Sequence, residues 1–133
     1  MAHHGIALNN DLIVKGKWTP ACGAAGVDTL LSRNVNFTAL VASNDDMAIG
    51  AMKQLHEQGV SVPAQVSVIG FDDIALAPYT IPALSSVKIP VTEMIQETIG
   101  RLIFMLGDGA FRPPKTFTGE LIQRDSVAPP ASR

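Results

Sequence analysis

Two rhythms of apolar residues run along this chain. "FTALVA" (37–42) and "VSVIGF" (66–71) are continuous, β-prone runs of strand length, the pattern of strands covered on both faces. Between them Ala48, Ala51, Met52 and Leu55 recur at helical spacing, and Gly59 supplies a stop. Strand, helix, strand with short links predicts a right-handed parallel crossover unit. Upstream, "DLIVKG" predicts a short strand running into a loop that carries Trp18. Thr19 then caps a helix with Pro20 in its first turn, and Val27, Leu30 and Leu31 form its apolar stripe as far as about Asn34.

Downstream, Pro78, Pro82 and Pro90 and the weak periodicity of residues 74–90 predict an ordered connection crossing the molecule. Thr92 opens a long helix with Ile95, Ile99, Leu102, Ile103 and Leu106 on one face, ended by Gly107. "DGAFRPPK" reads as a turn-rich link, "TFTGELIQRDS" as a last, more exposed strand, and "VAPPASR" as a frayed end. The opening "MAHHGIALNN" reads as the last turn of an amphipathic helix. The fold class is α/β, a parallel sheet with flanking helices. It is incomplete, because few elements remain to cover the apolar face of the helix beyond residue 92.

Composition narrows the classes. With 133 residues the chain has the size of one domain or one lobe, and 47% hydrophobic against 17% charged residues fits a folded protein. A formal charge of −2 and the absence of long like-charge runs argue against a nucleic-acid groove. The run "IGRLIFML" is too short to span a bilayer, so no membrane partner is expected. A single cysteine, Cys22, and no signal-type segment point to the cytoplasm. His3 and His4, beside the initiator Met, have no further ligand at metal-binding spacing.

Candidate chemistry gathers where the strands end. Both apolar runs stop at polar residues, "SNDD" and "DD", and adjacent parallel strands present such residues to a common crevice. Asn44 and Asp72 are therefore predicted neighbours although 28 positions apart. There is no nucleophile motif, phosphate loop, HExxH or Cys pair, and His56 falls in a polar helical stretch. No enzyme, catalytic residue, metal or cofactor is expected. One enzyme-like arrangement is open: Asp45, Asp46 and Asp72 holding Mg²⁺ with Lys88 nearby, as in a phosphoacceptor site. Asp45 and Asp46 equally suit the start of a helix. Carbohydrate binding uses the same edge differently. Asp72 would accept from neighbouring hydroxyls, the Asn44 amide would donate and accept, and Trp18 would cover the apolar face of a sugar ring. Asp73 reads as the residue that orders the loop toward Tyr79.

Three motifs, "ASNDD" before "MAIGAM", "P-x-x-V-S-V-I-G-F-D-D" and "P-x-L-S-S-V", occur here in that order and spacing. Together they make the chain, from about residue 6 onward, resemble the C-terminal part of the effector-binding domain of the LacI/GalR family of bacterial transcriptional repressors. The resemblance implies one lobe of a periplasmic-binding-protein-like, two-lobed fold with three crossing segments and a small-molecule sugar effector between the lobes. Residues 1–85 and 118–128 would form the C-terminal lobe. Residues 86–117 would be a crossover plus a helix of the N-terminal lobe. It also implies effector contacts at Trp18, Asn44 and Asp72, leaves Val91 where relatives carry an aromatic, and puts the family's effector-gripping arginine upstream of Met1.

The helix-turn-helix domain is absent from this stretch, so operator DNA would be reached only through that missing N-terminal domain. Sugar affinity in the chain alone would be weak or undetectable, and the carbohydrate regulated in an intact relative would include β-glucosides. The family's mode of dimerisation implies Ile49, Met52 and Tyr79 at an interface, in a homodimer or a heterodimer with a full-length repressor. A dimerisation-only module is the alternative reading. A transport-type sugar binder would need a signal segment.

Overall fold

A computed structural model describes residues 5, 7–107 and 113–130. Most of the opening stretch read as a helix end, both His3 and His4, and the centre of the link at 108–112 lie outside the described residues. The elements are α1 (Pro20–Ser32), β1 (Ala39–Val41), α2 (Asp45–Glu57), β2 (Ser67–Phe71), β3 (Ser85–Lys88), α3 (Val91–Leu106) and β4 (Glu120–Ile122). Short 3-10 turns occur at Asn10–Leu12 and Ala77–Tyr79.

The first two helices start and stop as their sequences require. Thr19 Oγ1 accepts from the Cys22 N–H at 3.4 Å, Pro20 takes the first turn, and Asn34 leaves the helix with φ +51°. Asn44 Oδ1 caps α2 by accepting from the Met47 N–H at 2.9 Å, and Gly59, at φ +73°, follows its end. The two helices cross with almost no side chain between them at two points. A Cβ on Gly23 would lie 2.0 Å from the Met47 carbonyl oxygen, and one on Gly50 would lie 1.8 Å from that of Pro20.

The sheet has the order β1-β2-β3-β4. β1, β2 and β3 are parallel, while β4 is antiparallel to β3, so the sheet is mixed where a parallel one was expected. Leu40, Val68 and Leu84 face α1 and α2 with Val27, Ala48, Ala51, Met52 and Leu55, and this is the core. The opposite sheet face carries Val41, 80% exposed, and the half-exposed Phe71. The expected strand at 37–42 is thus a three-residue edge strand open on one side. α1 and α2 both lie against the other face, and among the described residues β1 pairs with β2 alone.

Three further readings change. "DLIVKG" forms no ladder: residues 10–12 make a 3-10 turn, and Arg33 Nη1 donates to the carbonyls of Asp11 and Ile13 at 2.8 and 3.1 Å, taking acceptors that a neighbouring strand would use. The Pro-rich connection contains β3, and sheet pairing runs to Lys88, inside the segment read as crossover. Of the end read as frayed, Ala128 is tied down and Ser126 anchors the chain just before it, while residues 131–133 lie outside the described residues. Ser126 Oγ donates to the Val68 carbonyl at 2.6 Å and accepts from the Ser85 N–H at 2.8 Å, and Ala128 and Ser67 are mutually bonded at 3.1 Å. The long helix begins at Val91, one residue early, with Pro90 at its cap position and no side-chain cap bond. None of its residues is buried, as its unmatched apolar face foreshadowed.

Candidate functional site

The register places the two strand ends side by side. Val41 pairs with Ile69, so three residues further on Asn44 and Asp72 leave the sheet at the same edge. This is the juxtaposition expected from sequence. Asn44 is buried, at 8% exposure; its Oδ1 is spent on the helix cap, while its Nδ2 bonds to no described residue. The Asp72 N–H continues the β2–β3 pairing by donating to the Val87 carbonyl at 2.9 Å. Its carboxylate has no hydrogen-bond partner among the described residues. Burial, and then the charges of Asp45 and Asp46, hold its pKa above the ordinary carboxylate value, which puts those three carboxylates within electrostatic reach of one another.

Asp72 and the next residue have φ of +108° and +54°, both in the left-handed half of backbone space without being glycine. What holds them there was not read from the sequence. Asp45, fully buried, accepts from the Ser86 hydroxyl at 2.6 Å through Oδ1 and from the Ile74 N–H at 2.8 Å through Oδ2. Ser86 Oγ in turn accepts from the Asp73 N–H at 3.1 Å. Asp73 Oδ1 meets Arg124 Nη2 at 2.6 Å, and Arg124 Nη1 donates to the Leu84 carbonyl at 2.6 Å. Asp73 therefore orders its loop as expected, through a long-range ion pair. Gly70 makes room for this arrangement, since a Cβ there would stand 2.0 Å from Asp45 Oδ1. The one available sequence signal for Asp45 was Gly70 in β2, which pairs with Ser86 beneath the start of α2 and is legible as such only once the register is known.

Trp18 lies one residue before the cap of α1 and is 70% exposed, so its ring is not a core aromatic. Gly16, two residues earlier, sits within contact distance of Met47 in the first turn of α2, which brings the Trp18 loop to the same end of the helix pair as Asn44. Of the residues expected at an interface, Tyr79 is 80% exposed and Ile49 is partly buried against the core. Met52, expected at the interface, is instead a buried core residue, 6% exposed. Val91 opens α3 and is about half exposed. A cavity of about 130 Å³ between residues 12–16, α1, β1 and α2 contains none of Trp18, Asn44 or Asp72, and it is smaller than a ligand pocket. The strand-end residues form an open wall.

The phosphoacceptor arrangement fares badly against these contacts. Both oxygens of Asp45 are committed to Ser86 and Ile74, in a fully buried position. No group of three or more metal-type side chains gathers among the described residues. No helix among them is long and apolar enough to cross a membrane.

Residues 1–127 match the family model of a periplasmic binding protein-like domain. The chain is 75% identical over 131 residues to the HTH-type transcriptional regulator AscG of Escherichia coli (strain K12), covering 98% of this chain and 39% of that protein. The crystal structure of a LacI-family sugar-binding transcriptional regulator from Escherichia coli, complexed with phosphate, matches at TM-score 0.87 and 77% identity over 96% of this chain and 46% of that one. The complex of the transcriptional regulator CelR with cellobiose matches at TM-score 0.86 and 28% identity, over 94% of this chain and 38% of that one. The chain thus spans about two fifths of the length of the curated regulator it matches.

Proposed function

Because this chain belongs to the periplasmic-binding-protein-like family, in the form carried by LacI/GalR transcriptional regulators, we propose that it supplies one wall of a sugar-effector crevice. Asp72 reads sugar hydroxyls, the free Nδ2 of Asn44 donates to them, and Trp18 lies against the ring. The observation that carries this reading is the side-by-side exit of Asn44 and Asp72 from adjacent parallel strands, with the Asp72 carboxylate left unpaired among the described residues. The relatives are regulators of transcription and not enzymes.

In an intact regulator, an effector favouring one arrangement of two lobes would shift their orientation and with it the DNA-binding heads. The lobe reading takes residues 1–85 and 118–128 as one body, and 86–117 as crossover plus a helix of the other. The wholly unburied α3 supports it. β-Glucosides are the proposed effector class. The complex of the similar regulator CelR with cellobiose supports that choice. A chain of this kind works in the cytoplasm.

The test is a titration of the labelled chain with cellobiose and methyl β-glucoside, followed by ¹⁵N NMR, which reports dissociation constants weaker than about 1 mM, or about −4 kcal/mol. Shifts confined to the Trp18 indole, the Asn44 side-chain amide and Asp72, and lost in Asp72→Asn, are expected. The proposal takes the weak and not the undetectable end of the affinity expected of the chain alone, so no response of these three groups at tens of millimolar sugar would sink it.

Association of two copies is a second reading, favoured by the loop after β2. Leu76 is half exposed, and Tyr79 and Ile81 are 80% and 98% exposed. Sedimentation velocity of the chain and of Tyr79→Glu decides it: a dimer that the substitution dissociates is expected, and a monomer at high concentration ends this reading. Nothing in the relatives favours a mixed dimer with a full-length subunit.

A further inference from the structure

We propose that Asp45 is the positioning residue of the crevice: its buried carboxylate, gripped by Ser86 and the Ile74 amide, holds the left-handed turn on which Asp72 is presented. The proposal rests on the reading of Asp72 as a hydroxyl-reading group, and it assigns a role to a residue that touches no ligand.

Two successive non-glycine residues with positive φ do not persist unless their surroundings over-determine them. Hydrogen bonds here do so from both sides. The Asp72 N–H is held by the Val87 carbonyl, the Asp73 N–H by Ser86 Oγ, and the Ile74 N–H by Asp45 Oδ2. Three consecutive backbone donors are thus fixed, two of them through one buried Asp–Ser pair. The Ser86 hydroxyl has a single hydrogen, and donating it to Asp45 Oδ1 leaves its oxygen free to accept from Asp73. The direction of that bond is therefore set by Asp45. Gly70 completes the device: any side chain there would occupy the position of Oδ1.

A carboxylate at position 45 cannot be exchanged for an amide without loss. Asparagine offers one acceptor oxygen where two donors arrive, and its amino group would face either the Ser86 hydroxyl or the Ile74 N–H. The bond from Ser86 must break or reverse, which strands the buried hydroxyl hydrogen and loosens the grip on the turn, so that it relaxes toward negative φ and carries the Asp72 carboxylate away from Asn44. Removing the Ser86 hydroxyl releases the Asp73 N–H and one oxygen of Asp45. A Cβ at Gly70 displaces the carboxylate while leaving its charge in place. Three chemically different changes thus converge on one outcome.

The experiment uses the labelled 133-residue chain and its Asp45→Asn, Ser86→Ala and Gly70→Ala variants. Three-bond H^N–Hα couplings and Cα/Cβ shifts report φ at Asp72 and Asp73, shifts of Val27, Leu55 and Leu84 report the core, and cellobiose is then titrated in. The expected result is a wild-type turn with positive φ that averages out in each folded variant, an unchanged core, and loss of the cellobiose-dependent shift at Asp72. Asp45→Asn and Ser86→Ala are expected to be non-additive, because both cut the same linkage. Should Asp45→Asn not fold, Ser86→Ala and Gly70→Ala decide. A variant that is less stable to urea yet keeps both positive-φ signatures overturns the proposal, whatever the sugar does. A turn that collapses in the variants while cellobiose moves nothing in the wild type leaves the positioning role standing and removes the sugar reading instead.

Discussion

Two glycines of α1, three residues apart, are expected to respond to the same substitution with opposite signs. Gly23 faces α2, and its new Cβ would stand 2.0 Å from the Met47 carbonyl oxygen, with the carbonyl carbon and Cα at 2.7 and 2.9 Å. These are backbone atoms, so no rotamer change relieves the clash. The helices must separate by more than an ångström, and the packing of Val27 against Ala48 and Ala51 loosens with them. Overpacking of this kind costs about 1–3 kcal/mol or more, and a gap of 0.5–1 Å forfeits roughly a quarter to a half of the dispersion attraction across it. Gly26 has nothing within 4 Å of its Cβ position. Alanine there gains only the helix-propensity difference, about 0.8–1 kcal/mol. Allowing Gly23→Ala the same gain, a net loss of about 2 kcal/mol is expected, so the two variants should differ by about 3 kcal/mol. With a urea m-value of about 2 kcal/mol/M, that is a separation of about 1.5 M in midpoint, read by far-ultraviolet circular dichroism. Gly50→Ala, 1.8 Å from the Pro20 carbonyl oxygen, should cost as much as Gly23→Ala. The double variant should cost less than the sum, since the first substitution has already parted the helices. Midpoints for Gly23→Ala and Gly26→Ala that move together, or strict additivity with Gly50→Ala, would refute the close-crossing geometry.

Asp73→Ala removes one partner of an ion pair whose side chains are only 14% and 18% exposed, stranding Arg124; a loss of about 2–3 kcal/mol in urea is expected, largely retained in 1 M salt because shielded pairs screen weakly. Asp72 has a folded-state pKa above its unfolded value, so the native state binds that proton more tightly and stability falls as pH rises through the window from the ordinary value to the raised one. Asp72→Asn should therefore raise the urea midpoint at pH 7 and have no such effect at pH 3, where the wild-type carboxyl is already neutral; an equal effect at both pH values would contradict the electrostatic cause. Ile99→Ser in α3, where no residue is buried, should shift the urea midpoint by less than about 0.5 kcal/mol equivalent, against about 2–5 for Leu55→Ala in the core.

The elements that the sequence identified were those whose signal is local. Thr19 and Pro20 start a helix and Gly59 follows the end of one, with atoms a few residues away, and each does so here, whereas the cap of α2 is Asn44 and not the Asp pair after it. The elements misread were those whose partners are distant in sequence. β3 hides behind Ser85 and Ser86, which look like loop residues but are buried because Arg124, Ser126 and Asp45 satisfy them. "DLIVKG" has the composition of a strand, yet Arg33, some twenty residues downstream, claims two of its carbonyls. Met52 fell on a helical stripe that could have faced a partner or the core, and its burial in the folded chain is visible only in three dimensions.

The same distinction separates the carboxylates at the crevice edge. Asp45, Asp46, Asp72 and Asp73 form two near-identical pairs in sequence, each just past an apolar strand, and no local pattern ranks them. Geometry does so by supplying or withholding donors. Asp45 meets a hydroxyl and an amide in a dry site and becomes a fixed point of the fold. Asp73 meets a guanidinium and anchors its loop. Asp72 meets neither: it is turned outward by a backbone conformation that the other two maintain, and it carries the raised pKa of a group whose charge is poorly compensated. A carboxylate held in an unfavourable backbone conformation, short of hydrogen bonds and beside two like charges, lowers the stability of the chain that carries it. Such a cost is typical of a group kept for an external partner, since donors brought by a ligand would relieve the desolvation that the fold leaves in place. Hydroxyl groups meet that need without adding charge. The stabilisation expected of Asp72→Asn and the loss of sugar response expected of the same substitution are therefore two consequences of one arrangement, and finding either without the other would separate the electrostatics of the turn from its use.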